Sequence, residues 1–142
     1  MSETILVGID ESETARTALS HAVDLAAVTD ATVHVITVVE PRGSSYTFGV
    51  REIEELNEAA QRVVDEAVDA HEGRDVDLRV DVRRGSPAEA ILDYAEEADA
   101  DRIVVGQRGT SGLSGAIIGS TADRLSRLAT VPVTIVPGSS EE

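Results

Sequence analysis

The sequence predicts an α/β protein: a three-layer α-β-α sandwich built on a mostly parallel, five-stranded sheet. Strand-like and helix-like segments alternate along the 142 residues, and this alternation requires parallel strands joined by helical crossovers. Hydrophobic residues make up 42% of the chain, yet two Tyr and one Phe are its only aromatic residues. Such an aliphatic core is typical of a parallel sheet buried between helices. The length suits one domain, predicted at residues 1–138, with a short acidic tail at 139–142.

The first half of the chain predicts two strands and two helices. The run "TILVGID" (Thr4–Asp10) predicts a buried strand, and apolar residues at helical spacing predict a helix over 12–28. β-Branched residues predict a second strand at Thr32–Val39. Pro, Gly and Ser predict a loop over Glu40–Val50, and a long amphipathic helix follows it.

The second half continues the alternation. Apolar and polar residues alternate over Leu78–Arg83, which predicts an outer strand. A helix follows, with Ser86 as N-cap and Pro87 at its first position. The remaining strand, helix and strand are predicted at Arg102–Gly106, Gly119–Leu128 and Val131–Val136. Ligands of doubly wound sheets bind at the carboxyl ends of the strands, where the strand order reverses.

A glycine-rich loop follows the fourth strand and leads into the last helix. Residues 104–125 contain five of the chain's 11 glycines. Backbone N–H groups at a helix start bind anions, and glycine lets a phosphate approach closely. Ser120 and Thr121 would add hydroxyl donors, although Ser120 is equally consistent with a plain N-cap and the glycines with tight turns. A P-loop is excluded because the chain has no lysine, and "DESETA" after the first strand excludes the dinucleotide fingerprint.

The spacing Gly106-x2-Gly109-x9-Gly119-Ser120 resembles the ATP-binding motif G-x2-G-x9-G-[ST] of the universal stress protein family. The resemblance covers nearly the whole chain, including "ILVGIDES" near the start and "GSTADRLSRLATVPVTIV" near the end. It implies a Rossmann-like, adenine nucleotide α-hydrolase-like fold with strand order 3-2-1-4-5. It also implies ATP, with Mg²⁺, as the cofactor.

The resemblance further implies the site residues. Asp10 would accept hydrogen bonds from the ribose and, with the ATP phosphates, help to hold Mg²⁺; alternatively Asp10 caps the first helix together with Glu13. The backbone of Val35 would meet the adenine edge, although Val35 is also a core strand residue. Gly8 and Ile9 would line the base pocket. The phosphates would be surrounded by Gly106, Arg108, Gly109, Gly119, Ser120 and Thr121.

No catalytic constellation accompanies this motif. His21, His34 and His71 fall on three different predicted elements, which argues against a histidine metal site or a Ser-His-Asp triad. His34, on a strand, is more typical of packing than of chemistry. We therefore expect nucleotide binding without fast turnover and, at most, a slow ATPase.

The composition limits partners and location. The net charge is −15, and all 12 basic residues are Arg, so nucleic acid and anionic membranes would be repelled. This composition indicates either a halophilic, salt-adapted protein or an ordinary solvated acidic surface. Without Cys, a signal-peptide pattern or an apolar run of about 20 residues, we expect a cytoplasmic protein.

The apolar strand Val131–Val136 is predicted at an edge, where it invites pairing with a second chain. The family resemblance also implies a homodimer through this strand. The leading interpretation is an ATP-binding protein with a nucleotide-dependent role in stress response or regulation. The alternatives are an interaction module that does not use ATP and, with least support, an enzyme of the wider adenine nucleotide α-hydrolase-like group.

Overall fold

The computed structural model contains a five-stranded parallel sheet between two layers of helices. It describes residues 3–9, 13–39, 58, 61–63, 65–71, 73, 75–107 and 119–137. The strand order is β3-β2-β1-β4-β5, and every neighbouring pair is parallel. The fold class and the strand order predicted from the sequence are therefore confirmed.

The elements follow the predicted alternation. The strands are β1 (Thr4–Ile9), β2 (Thr32–Val39), β3 (Asp77–Arg84), β4 (Arg102–Gly106) and β5 (Val133–Val136). The helices are α1 (Glu13–Thr29), α2 (described as helical at 58, 61–63 and 65–70), α3 (Pro87–Ala98) and α4 (Ser120–Leu128).

Two local predictions need correction, and a third is confirmed. β5 begins two residues later than expected, at Val133, because Pro132 has no N–H to contribute to a ladder. The prediction of Ser86 as the N-cap of α3, with Pro87 at the first helical position, is confirmed, although the Ser86 side chain makes no capping hydrogen bond. Gly119, rather than Ser120, is the N-cap of α4, so Ser120 is the first helical residue.

The two faces of the sheet have separate cores, because successive strand residues point in opposite directions. The layer of α1 and α2 covers one face, where Val7, Val35 and Val104 pack against a row of alanines on α1. The layer of α3 and α4 covers the other face. Among the described helices, none is long and apolar enough to cross a membrane.

The two edge strands differ in chemistry. On β3, Arg83 pairs with Asp81 at 3.0 Å and Arg79 with Asp77 at 3.4 Å. Alternating charges of this kind discourage a second strand from pairing with an edge. β5 forms the opposite edge and has no charged residue. Of the two edges, β5 is therefore the one suited to pairing with another chain.

Candidate functional site

The carboxyl ends of β1 and β4 meet at the centre of the sheet. Val7 pairs with Val104, so two residues further along, Ile9 and Gly106 lie level at the ends of their strands. β2 and β3 lie on one side of this junction and β5 on the other. The strand order reverses here, which is where open α/β sheets bind ligands. We call this junction the crevice.

Gly106 lies against the first turn of α1. A Cβ atom at Gly106 would be 2.5 Å from Thr14 Oγ1 and 2.9 Å from the Thr14 carbonyl carbon. Real Cβ atoms do not approach backbone this closely, because repulsion rises steeply below van der Waals contact. Gly106 therefore has a packing reason to be glycine, beside the predicted role in phosphate binding.

Gly8 and Ile9 point to opposite faces of β1. A Cβ atom at Gly8 would lie 2.7 Å from Ile91 Cδ1, on the α3 side. The Ile9 side chain is buried in the α1 and α2 core. It also lines a cleft of about 450 Å³ between these helices, with Arg16, Glu66 and His71 among the lining residues. At the crevice itself, Gly8 and Ile9 can contribute backbone groups more readily than side chains.

Val35 lies deeper in the sheet than its predicted contact with adenine suggests. It pairs with Val7 on β1 and with Val80 on β3, two residues before the position level with Ile9. Its side chain is 1% exposed. Val38 and Val39 are the last residues of β2 and lie beyond Ile9 along the strand direction. The Val39 carbonyl accepts the Gly85 N–H on the β3 side, so of these two residues Val38 directs its backbone towards the crevice.

The start of α4 is tied to the end of β4. The Gly119 N–H donates to the Gln107 carbonyl at 2.6 Å, and the Gln107 N–H donates to the Val136 carbonyl at 2.8 Å. Ser120 is exposed and Thr121 is half-buried in the first turn. The N–H groups of a first helical turn have no acceptor within the helix, so this turn can bind an anion.

Three predicted site residues, Asp10, Arg108 and Gly109, lie outside the described residues, as does the loop at 40–50. Their assigned roles stay predictions. The structure brings Ile9, Gly106, Gly119, Ser120 and Thr121 to the carboxyl end of the sheet, and it places Val35 below that level. In the described part of the chain, no three His, Asp or Glu side chains form a group that could hold a metal ion.

Comparison with known proteins identifies the family. A sequence profile of the universal stress protein family matches residues 1–137. The chain belongs to the universal stress protein family.

The match to each of the following relatives covers at least 84% of that relative's length. This universal stress protein is 32% identical to universal stress protein MJ0531 of Methanocaldococcus jannaschii over 145 residues, covering 97% of this chain and 84% of the relative. The solved structure of protein MJ0577 superimposes with a TM-score of 0.88 at 25% identity, covering 99% of each chain. A universal stress protein in complex with cAMP gives a TM-score of 0.75 at 27% identity, covering 96% of this chain and 98% of the other.

His34 belongs to a polar cluster away from the crevice. Its Nδ1 lies 2.8 Å from the Tyr94 hydroxyl, and Arg83 lies over the Tyr94 ring at 4.8 Å from its centroid. Arg83 also pairs with Glu97 at 2.9 Å. This cluster fastens α3 to β2 and β3, so His34 has a structural role in this universal stress protein.

The surroundings of His34 couple its charge to stability. Burial and then Arg79, directly opposite on β3, lower the pKa of His34 from the ordinary 6.5, while Asp77 opposes them. Folding therefore favours the neutral imidazole. The resulting stability is present above about pH 6.5 and is lost as the pH falls through the lowered folded-state pKa.

The sequence does not reveal three residues that contact the predicted site glycines: Gln107, Thr14 and Ile91. Gln107 acts through its backbone N–H and C=O, which every residue except proline possesses. Thr14 and Ile91 matter through their distance to Gly106 and Gly8. The only available signal was the proximity of Gln107 to the motif glycines, and it indicates no particular bond.

Proposed function

We propose that this universal stress protein binds ATP, with Mg²⁺, in the crevice and serves a nucleotide-dependent role in stress response or regulation. The observation that carries the proposal is the position of the motif. Gly106 is the last residue of β4, where the strand order reverses. Gly119 is the N-cap of α4, and its N–H donates to the carbonyl of Gln107, the residue after Gly106. The relative solved with cAMP supports an adenine nucleotide as the ligand.

The residues at the crevice fit such a ligand. Ser120 and Thr121 offer backbone N–H groups and hydroxyls at a helix start, which suits phosphate. The Gly119 N–H is engaged by Gln107, so Gly119 would contribute close approach rather than a donor. We propose that Gly106, Arg108 and Gly109 complete the phosphate site.

The base and ribose would lie over the ends of β1 and β2. We propose that Asp10 binds the ribose hydroxyls and helps to hold Mg²⁺, and that Gly8 and Ile9 line the base pocket. Val35 is the predicted partner of the adenine edge, but the strand register favours the backbone of Val38 for this contact.

The site is proposed to bind ATP with little or slow hydrolysis. Fast phosphoryl transfer requires charge neutralisation and an oriented nucleophile, and the chain has no lysine. The first turn of α4 supplies amide and hydroxyl donors, which hold a phosphate but do not activate water. Bound Mg²⁺ would supply charge neutralisation.

The test is to identify and titrate the nucleotide. The purified protein is denatured, any released nucleotide is identified by mass spectrometry, and binding of ATP, ADP, AMP and cAMP is measured by calorimetry with and without Mg²⁺. Asp10→Ala should weaken ATP binding, whereas Asp93→Ala, which removes the same charge from an exposed position on α3, should not. Gly119→Val should abolish phosphate binding. Wild-type protein that binds none of these nucleotides would refute the proposal.

The second candidate is an interaction module that does not use ATP. It is favoured by Gly106 of the motif and by Gly8 of the predicted base pocket, because packing alone would require glycine at both positions. The two candidates differ in the calorimetry above. A slow ATPase would be distinguished from both by release of inorganic phosphate that stops in Asp10→Ala.

We further propose that the protein is a cytoplasmic homodimer, paired through β5, and salt-adapted. Its charge of −15 repels ATP at low ionic strength, and salt screens that repulsion. ATP affinity should therefore rise between low and moderate KCl concentration. Affinity that stays flat or falls over that range would contradict this electrostatic reasoning.

A further inference from the structure

One residue joins the edge strand to the start of the last helix. Gln107 donates its N–H to the Val136 carbonyl of β5 and accepts the Gly119 N–H at the start of α4. Gly106, immediately before it, pairs with Val136 in the β4–β5 ladder. We call these two hydrogen bonds the Gln107 clamp. The clamp holds Gly119 against Gln107 and joins Gln107 to β5.

The other described attachments of α4 act further along the helix. Ala122 and Leu125 are buried in the core beside α3, and the Arg124 side chain pairs with Glu89 of α3. These contacts hold the helix against α3. Gly119, with φ −62 and ψ 160, is the residue through which the first turn is tied to β4. Among the described contacts, this tie is the one that joins the start of the nine-residue helix to the end of β4.

We infer that the Gln107 clamp positions the first turn of α4 for phosphate, which makes β5 a working part of the phosphate site. The inference rests on the proposed function. Because Gln107 engages the Gly119 N–H, the donors left for a phosphate are the N–H groups of the following residues, Ser120 and Thr121. The clamp holds these donors beside Gly106, at the end of β4.

The clamp should govern phosphate affinity separately from base affinity. The groups predicted to meet the base lie on β1 and β2, and the ladder between these strands runs from Thr4–Thr32 to Ile9–Thr37, independent of Gln107. A loosened α4 would displace the phosphate donors and leave the β1–β2 ladder intact. A selective loss of phosphate binding therefore distinguishes positioning of this turn from a general effect on folding.

The test compares Gly119→Pro with Gly119→Ala. Proline has φ near −65, which matches the φ of −62 at Gly119, and it removes the N–H that Gln107 accepts. Alanine adds a Cβ atom but keeps that N–H, so the comparison controls for the Cβ atom. Proline also adds ring atoms and restricts the preceding residue, and adenosine binding serves as the control for such general effects. Calorimetry measures the dissociation constants of ATP and adenosine, and circular dichroism confirms the fold.

We expect ATP to bind roughly ten-fold more weakly to Gly119→Pro than to Gly119→Ala, as for loss of one hydrogen bond. Adenosine should differ by less than about two-fold on the same scale. Equal ATP affinities, or equal losses for ATP and adenosine, would overturn the inference while leaving the proposed function standing. Wild-type protein that binds neither ATP nor adenosine would overturn both.

A second measurement needs no substitution. In nucleotide-free wild-type protein, the Gly119 amide should exchange with deuterium roughly a hundred-fold more slowly than in an unstructured peptide, because the clamp exists before the ligand binds. Fast exchange that becomes slow only with ATP would show that the nucleotide orders α4, and the clamp would be refuted. This readout keeps the inference falsifiable even if Gly119→Pro does not fold.

Discussion

Replacing Gly106 with alanine should destabilise the protein more than the same change at Gly8. Both glycines lie in extended strands, so both substitutions gain a similar amount from the reduced entropy of the unfolded chain. They differ in what the new Cβ atom meets. At Gly106 it meets the Thr14 backbone as well as its side chain, whereas at Gly8 it meets first the far end of the Ile91 side chain.

The difference in cost follows from what can move. Relief at Gly106 requires the first turn of α1 to shift, and this helix packs across β1, β4 and β5. Overpacking of this kind costs about 1–3 kcal/mol, or roughly 3–10 °C in melting temperature for a domain of this size. At Gly8, rotation of the Ile91 side chain relieves the contact, so we expect a cost below about 1 kcal/mol.

Urea denaturation of single and double variants measures both effects. Ile91→Val removes the Cδ1 atom nearest to Gly8, so Gly8→Ala should cost less in that background. Thr14→Ala removes the Oγ1 atom but leaves the Thr14 carbonyl carbon 2.9 Å from the new Cβ atom, so it should not rescue Gly106→Ala. A cost at Gly106 no larger than at Gly8, or full rescue by Thr14→Ala, would refute the steric reasoning.

Three further outcomes follow from other parts of the structure. Between about pH 7 and pH 5, the free energy of unfolding should fall less in His34→Gln than in wild type, because burial and Arg79 lower the pKa of His34. Urea midpoints that fall equally in the two proteins over that range would contradict this. Asp99 is the C-cap of α3 and has a left-handed backbone conformation. Asp99→Gly should raise the free energy of unfolding by about 0.5–1 kcal/mol and Asp99→Ala should lower it, and chemical denaturation measures both changes. The carbonyls of residues 132 and 136 face β4, so the Ile135 N–H faces outward. Ile135→Pro should therefore yield a folded monomer in sedimentation analysis while Ile135→Val stays dimeric, and a monomeric wild type at micromolar concentration would exclude pairing through β5.

The sequence predicted the strands best where strand residues are buried on both faces. β2 and β4 have the predicted bounds, because runs of β-branched residues leave little alternative. Errors fall at element ends. Pro132 was included in β5 for its apolar neighbours, and Ser120 was considered as the N-cap of α4, a position that Gly119 takes. Side-chain hydrogen bonds at helix ends depend on local geometry, which residue type alone does not determine.

Within the candidate site, the sequence predicts which strand a residue belongs to better than how far along that strand the residue lies. Val35 was assigned correctly to the second strand, but it lies level with Val7, two residues before the position level with Ile9; its contact with adenine stays a prediction. The register between β1 and β2 decides this point, and it depends on pairing between segments about 28 residues apart. Sequence pattern identifies the face a strand residue occupies, but it says little about depth.

Gly106 and Gly8 have a role in helix packing and a predicted role in nucleotide binding, and sequence spacing cannot separate the two. Gly106 lets α1 approach β4, and Gly8 lets α3 approach β1, so both helical layers come close to the sheet at the crevice. A phosphate near Gly106 would use the backbone, whereas Thr14 occupies the space of the missing side chain. Close packing of α1 and phosphate binding are compatible roles, because a residue without a side chain lets α1 approach and leaves its backbone groups at the strand end open to a ligand. Loss of ATP binding in Gly106→Ala would therefore mix displacement of α1 with obstruction of the ligand. Gly119→Pro against Gly119→Ala separates these effects better, since the variants differ in the donor to Gln107 rather than in contact with α1.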